Sequence, residues 1–163
     1  MKNKLLILIF SILLFSDLAI SKEFIFKTKN VEITNDGKSI ISGKGSALSA
    51  DGELEIKSNK FEYNKELNIL KTFGEGLLLI NSKNLEISFD ESIIDQNSLI
   101  IKTNGNSEIF DKNNNVLIKS RFLIYDQKKM TINAKDNVTI TDNNTKLQIK
   151  TKDITYNQKK KLI

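Results

Sequence analysis

The sequence contains no cysteine, histidine, proline or tryptophan among its 163 residues. Without cysteine the chain forms no disulfide and offers no thiolate nucleophile or cysteine metal ligand. Without histidine it lacks the commonest general base and the commonest transition-metal ligand. These absences argue against enzyme catalysis, and we expect no catalytic residues, no metal site and no cofactor.

An excess of charge of one sign is also missing. The 25 basic residues are balanced by 20 acidic ones, which gives a net charge of +5, and the two signs are interspersed along the chain. No stripe of basic residues alternates with aromatic residues, so a nucleic-acid partner is not expected. The lysines at positions 159–161 form a short basic cluster, which we interpret as a solvated tail.

A long hydrophobic run occurs only at the start of the chain. Lys2 and Lys4 precede an apolar run over residues 5–15, and the small residues at 19–21 offer a cleavage site. A membrane-spanning helix needs about 20 apolar residues, and Asp17 interrupts this one. We therefore predict a signal peptide over residues 1–21 and one mature domain over 22–163. A retained membrane anchor is the alternative.

The rest of the chain repeats one short pattern. LEIKSNKFEYN begins at Leu54, IKSRFLIYD at Ile118 and IKTKDITYN at Ile149, and a degraded copy, LEISFDESIID, begins at Leu85. The copies share one register with a spacing of about 31 residues, which is typical of repeat architectures. The sequence therefore predicts a stack of similar units in a single domain.

Hydrophobic residues in these units alternate with polar ones, which predicts about a dozen short β-strands. The parity of the alternation changes between Ile56 and Phe61, and this predicts a bulge or corner near Asn59. The same change recurs before Leu123 and before Ile154. A bend repeated in every unit indicates two sheets that fold over one another. The glycines at 43, 74 and 105 predict a second bend or a close backbone approach.

The units GKGSALSADGELEIKSNKFEYN, TNGNSEIFDKNNNVLIKSRFLIYD and KDNVTITDNNTKLQIKTKDITYN resemble the OstA-like (LptA-like) family of lipopolysaccharide transport. The resemblance covers residues 23–163. The second unit departs from the pattern, because Ser92 and Ile94 stand where Phe61 and Tyr63 stand in the first. The family includes a free-standing periplasmic bridge protein and the periplasmic N-terminal domain of the outer-membrane assembly protein, and the sequence leaves both open.

The resemblance implies a V-shaped β-jellyroll that catalyses no reaction. Its apolar trough would shield the lipid A acyl chains of lipopolysaccharide, and its exposed edge strands would pair end to end with other jellyroll proteins. The implied location is the periplasm, with an association with the outer membrane. Each Å² of covered apolar surface contributes about 25 cal/mol. The residues expected to line the trough are Leu54, Ile56, Phe61, Tyr63, Leu78, Leu85, Ile87, Ile109, Val116, Ile118, Tyr125, Ile140, Leu147, Ile149 and Tyr156.

Other interpretations stay open at the level of sequence. The apolar columns could form an ordinary filled core, as most alternating strand residues do. Glu53, Glu55 and Glu62 are expected on a solvated face, and residues 111–115 are expected to form a plain turn and not a calcium loop. The alternative functions are an inner-membrane-anchored jellyroll of the same pathway and a secreted β-solenoid adhesin.

Overall fold

The computed structural model describes residues 23–160, and the predicted signal peptide and the last three residues lie outside this range. The described chain contains twelve β-strands, one 3₁₀ turn at Asn81–Lys83 and no α-helix. None of it forms a helix long and apolar enough to cross a membrane. The strands are β1 (Phe24–Thr28), β2 (Val31–Thr34), β3 (Ser39–Ser42), β4 (Gly45–Ser49), β5 (Leu54–Ser58), β6 (Lys60–Asn64), β7 (Ile69–Ile80), β8 (Leu85–Asp95), β9 (Ile100–Asp111), β10 (Val116–Asp126), β11 (Thr131–Asp142) and β12 (Leu147–Asn157).

All strands belong to one antiparallel sheet that branches at β7. One branch runs in the order β7-β5-β4-β1 and the other in the order β7-β6-β3-β2, while β8 to β12 follow β7 in sequence order. The branch arises because β5 pairs with the second half of β7 and β6 pairs with its first half. The long strands β7, β9 and β11 begin 31 residues apart, which is the spacing of the sequence pattern.

Every long strand bends near its middle, where the pairing register shifts. In β7, β9 and β11 the bend consists of two successive residues with positive φ. Gly74, Gly105 and Asp136 have φ of 70°, 70° and 62°, and the residue after each also has positive φ. The predicted bend near Asn59 is present, because residue 59 separates β5 from β6. The glycines do not mark a second bend: Gly74 lies opposite Asn59 in this same bend, and its carbonyl accepts from the Asn59 backbone N–H at 3.2 Å. The close backbone approach, which is the other expectation, is found there.

The bend divides the sheet into two layers that face each other. Layer 1 contains β1, β4, β5 and the strand halves 76–80, 85–88, 107–111, 116–119, 138–142 and 147–151. Layer 2 contains β2, β3, β6 and the halves 69–73, 91–95, 100–104, 122–126, 131–135 and 153–157. The buried apolar residues of both layers point inward and form one core.

The turns at the free ends of each layer, which we call its tip, stack through asparagine side chains. In the layer 1 tip, Nδ2 of Asn81 donates to the Gly52 carbonyl at 2.7 Å, Nδ2 of Asn113 to the Lys83 carbonyl at 3.1 Å, and Nδ2 of Asn144 to the Asn114 carbonyl at 2.9 Å. Backbone N–H groups repeat the same step from turn to turn. This ladder fixes the position of successive hairpins relative to one another.

Candidate functional site

The predicted trough residues occupy the space between the two layers. All of them are buried except Leu147, which is exposed, and Ile149, which is half-buried. Apart from Leu147, their side chains pack against one another in one core, because two inward rows of large apolar residues leave little room once the layers meet. The structure therefore has a packed interior where the resemblance implied an open trough. Lining of a lipid site by these residues stays a prediction.

The two layers are staggered at the N-terminal end of the sheet. The ring of Phe24 in β1 lies edge-on to that of Tyr63 in β6, with centroids 5.3 Å apart, and Phe26 lies 5.8 Å from Phe61. Layer 1 thus ends over β6, and β2 and β3 of layer 2 extend beyond it. Val31 and Ile33 belong to the inward row of β2 but are 51% and 64% exposed. This overhang of layer 2 leaves apolar inner surface uncovered.

The stagger produces the opposite overhang at the C-terminal end. The second half of β12 packs over the end of β9, where Tyr156 reaches Asp111, and layer 1 extends beyond it. Leu147 belongs to the inward row of β12, since its neighbour Ile149 pairs with buried Ile140, yet it is 52% exposed. Within residues 23–160 the outer edges of β1, β2 and β12 pair with no other strand. Both ends of the stack therefore carry free backbone groups beside apolar surface.

A buried polar network joins the tips of the two layers near the C-terminal end. The Asp111 carboxylate of layer 1 accepts hydrogen bonds from the Tyr156 hydroxyl at 3.2 Å and from Asn114 Nδ2 at 2.6 Å. Gln158, after β12 in layer 2, accepts a hydrogen bond from the Tyr125 hydroxyl at 3.2 Å and donates to the Lys83 carbonyl at 3.3 Å. The Tyr156–Asp111 and Gln158–Lys83 bonds connect the two layers at the side opposite the bend, and Asn114 adds a third connection by donating from Nδ2 to the Gln158 carbonyl at 3.2 Å.

Burial raises the pKa of the phenols of Tyr63, Tyr125 and Tyr156 above the usual value, and the Asp111 carboxylate adds to this effect for Tyr125 and Tyr156. All three tyrosines are therefore neutral hydrogen-bond donors at neutral pH. Their hydroxyl groups reach the tips of the sandwich, where each has a hydrogen-bond acceptor. The phenols thus satisfy polar groups at the rim of an otherwise apolar interior.

A row of buried hydroxyl groups lines the inside of the bend. Ser58 donates to the Phe73 and Gly74 carbonyls, and Ser120 donates to the Phe122 carbonyl. Thr72 and Ser92 bond to each other at 2.7 Å. The register shift removes ladder partners from the backbone here, and buried polar groups need replacements. The second unit keeps the shared geometry, because Ser92 and Ile94 are buried in β8.

The outer faces carry the charged side chains, as the alternation predicts. Glu55 lies 3.6 Å from the Lys57 ammonium group and Glu62 lies 2.6 Å from that of Lys60. Residues 112–115 form a turn in which the Asp111 carboxylate accepts from the Asn114 backbone N–H at 3.1 Å. Among residues 23–160 no group of three or more acidic side chains is placed to hold a metal ion.

The architecture belongs to the class of antiparallel β-jellyrolls with open ends, built from long bent strands. No protein-family model matches the sequence, and no curated protein matches it. A solved structure with a similar fold is that of LptH, the LptA-homologous periplasmic component of the lipopolysaccharide transport device of Pseudomonas aeruginosa. The TM-score is 0.61 at 9% identity, over 72% of this chain and 85% of that one.

At this identity the likeness concerns the fold alone. It confirms the all-β prediction and the LptA-like jellyroll. The repeat units and the signal peptide stay predictions, and so does the alternative that the chain is the N-terminal domain of an outer-membrane assembly protein.

Several residues at the ends and tips were not predicted from the sequence. Val31, Ile33 and Gln158 are absent from the predicted site, and the sequence pattern predicts only a plain turn at Asp111. For Gln158 the sequence does carry a signal, since Gln96, Gln127 and Gln158 follow the ends of β8, β10 and β12 at the 31-residue spacing.

Proposed function

We propose that this protein is a periplasmic lipopolysaccharide-binding and transport module whose interior shields acyl chains and whose ends dock with other jellyrolls. The observation that carries the proposal is the pair of uncovered apolar overhangs, each next to an unpaired strand edge, at opposite ends of one continuous apolar interior. The likeness in fold to a transport component supports it.

The packed interior bears on how a lipid would bind. An acyl chain that enters between the layers must replace contacts between inward side chains of the two layers with contacts to itself. Both sets of contacts are apolar, so the exchange costs little per Å² of surface. The exposed inner residues at the ends, Leu147 above all, offer a first contact before the layers separate.

Photo-crosslinking with purified lipopolysaccharide tests the lipid-binding part. A benzophenone amino acid at Leu147 or Ile149, which point inward, is expected to give lipid adducts. The same probe at Gln148, the outward neighbour on the same strand, is the matched control and is expected to give none. Equal labelling at inward and outward positions, or no labelling at either, would remove the lipid-carrier proposal.

The location and the membrane-anchored alternative are tested by the mass of the protein isolated from cells. A chain that starts near Lys22 and is released with the periplasmic contents agrees with the proposal. A chain that keeps residues 1–21 and sediments with the inner membrane favours the anchored jellyroll of the same pathway. The continuation of the reading frame distinguishes a free-standing bridge protein from the N-terminal domain of an assembly protein.

A further inference from the structure

The two halves of the sandwich are closed by different chemistry at the side opposite the bend. In the N-terminal half, aromatic rings of β1 cover those of β6. In the C-terminal half, the layers are joined by three hydrogen bonds, from Tyr156 to Asp111, from Gln158 to the Lys83 carbonyl and from Asn114 to the Gln158 carbonyl. Within layer 2, the Tyr125 hydroxyl donates to the Gln158 side chain and holds it in place. We call this second set of contacts the tip network.

The tip network is a costly way to close an apolar interior. Asp111, Tyr125, Tyr156 and Gln158 are all at least nine-tenths buried, and a buried polar group is stable only while its partner is in place. One repeat earlier in the sequence, 31 residues before Asp111, Ile80 occupies the equivalent position and is buried in the apolar core. The polar residues at the C-terminal half therefore have a role that apolar packing would not supply.

A comparison within the chain shows that equivalent tyrosine and glutamine residues are used differently at the two ends. Tyr63 precedes Gln96 by the same number of residues as Tyr125 precedes Gln158. However, the Tyr63 hydroxyl bonds to Asn68 within its own layer, and the buried Gln96 Oε1 has no hydrogen-bond partner among the described residues. The hydrogen bond from tyrosine to glutamine is therefore formed at Gln158, whereas the Gln96 Oε1 accepts none.

Hydrogen bonds of this kind respond steeply to separation. Each bond contributes about 1 kcal/mol net while its geometry holds, and little once the donor and acceptor move apart. The apolar contacts below the network lose energy only gradually, in proportion to exposed area. Three bonds that span the layers therefore keep the tips either together or apart, with few stable positions between.

We propose that the tip network is a latch that holds the layers together at the C-terminal half, and that its release opens this half as a unit. In layer 1 the latch ends at Asp111 of β9, and the exposed Leu147 and half-buried Ile149 lie three strands farther along that layer, on the part that extends beyond the latch. If the proposed function holds, an acyl chain that first contacts these two residues passes between the layers at the latch. The opening itself does not depend on that function.

Hydrogen exchange on the complete mature chain tests the latch without any lipid. The double variant Tyr156→Phe, Gln158→Ala removes the hydroxyl and the amide from the latch. Amide exchange in residues 107–111 and 153–157 is expected to accelerate about tenfold, which corresponds to a loss of about 1.4 kcal/mol. Exchange in β4, β5 and β6 is expected to stay unchanged. The matched control, Tyr63→Phe, removes a hydroxyl whose bond to Asn68 does not join the layers, and should leave the C-terminal half unaffected.

If amide exchange accelerates equally in all strands, the double variant is destabilised in general. If exchange at residues 107–111 is unchanged, the hydrogen bonds do not hold the layers together. Either result overturns the latch.

Because the chain has no cysteine, spin labels at Lys112→Cys and Lys159→Cys report the distance between the tips. The double variant is expected to populate a longer distance. Lipopolysaccharide micelles are expected to do so in the otherwise unchanged chain.

The two proposals fail differently. Lipid adducts at Leu147 with tips that stay together would overturn the latch and leave the carrier function standing. Tips that separate in the double variant, with no lipid adduct at any inward position, would leave the latch standing and remove the carrier function.

Discussion

Residues with positive φ shape the bends of β7, β9 and β11. A glycine enters this region at no steric cost, and Asn or Asp are the other residues that tolerate it. This explains why Asp136 can stand in the column of Gly74 and Gly105 with φ of 62°. In the sequence alone the glycine column ends at Asp136, whereas the backbone keeps the same left-handed conformation at that position.

Replacement of Gly105 by alanine tests this account. Its φ of 70° is unfavourable for alanine, and a Cβ would meet the Asp90 side chain. We expect a loss of about 1–3 kcal/mol in the free energy of unfolding, measured by urea denaturation. Gly43→Ala is the control, because Gly43 lacks positive φ and its Cβ would meet nothing within 4 Å. An equal loss in both variants would contradict the role of the left-handed bend.

The serine or threonine that ends the motif L-x-I-x-[ST] also has a local role. Ser58, Ser120 and Thr151 each donate to a carbonyl that lies past the bend. In the second unit Phe89 takes this place, and a Cβ on Gly76 would overlap its ring. In this unit, packing of the Phe89 ring on Gly76 thus takes the place of the hydrogen bond from a serine or threonine hydroxyl. The bend forms although the motif lacks its last polar residue.

At the scale of strands, the stagger of the layers decides what each end exposes. β2 projects from layer 2 at one end, and the first half of β12 projects from layer 1 at the other. β2 has no strand of layer 1 over it, and the first half of β12 has no strand of layer 2 over it. The two projections are therefore complementary: when two copies meet end to end, each supplies the layer that the other lacks. Unpaired strand edges are ready templates for a further strand, so the end of one jellyroll fits the beginning of another.

Lysine substitutions at the overhangs test this docking with a second copy of the chain. Ile33→Lys or Leu147→Lys places a charge in the surface to be buried, and each is expected to weaken end-to-end association at least tenfold in sedimentation experiments. Both residues are exposed, so the folding stability should change little. Ile93→Lys, at an exposed outward position in β8, is the control. Association that survives both overhang variants would rule out this mode of docking.

At the scale of the whole molecule, the three tyrosines couple stability to alkaline pH. An unfolded tyrosine ionises with a pKa of about 10, whereas burial raises the pKa of Tyr63, Tyr125 and Tyr156 in the folded state. The stability contributed by the neutral phenols is fully present below pH 10. Above it the unfolded chain loses protons that the folded chain keeps, so stability falls as the pH rises.

We expect the free energy of unfolding to fall above pH 10 by about 1.4 kcal/mol per pH unit for each tyrosine that stays protonated. Urea denaturation between pH 8 and 11, with absorbance of the phenolate as a second signal, measures this slope. Tyr156→Phe should reduce the slope by about one tyrosine's share. Phenolate absorbance that appears near pH 10 in the folded protein would contradict the expectation.

The sequence by itself determined the strand content, the positions of the bends and the two-layer arrangement, because alternation, parity changes and turn residues act over a few neighbouring residues. Only the tertiary structure decided that the interior is packed, that the layers are staggered, and that Asp111 meets Tyr156. These features depend on how two distant rows of side chains share one volume, and on partners 45 residues apart. A local pattern specifies which face of a strand is apolar, but the packing of both layers determines what covers that face.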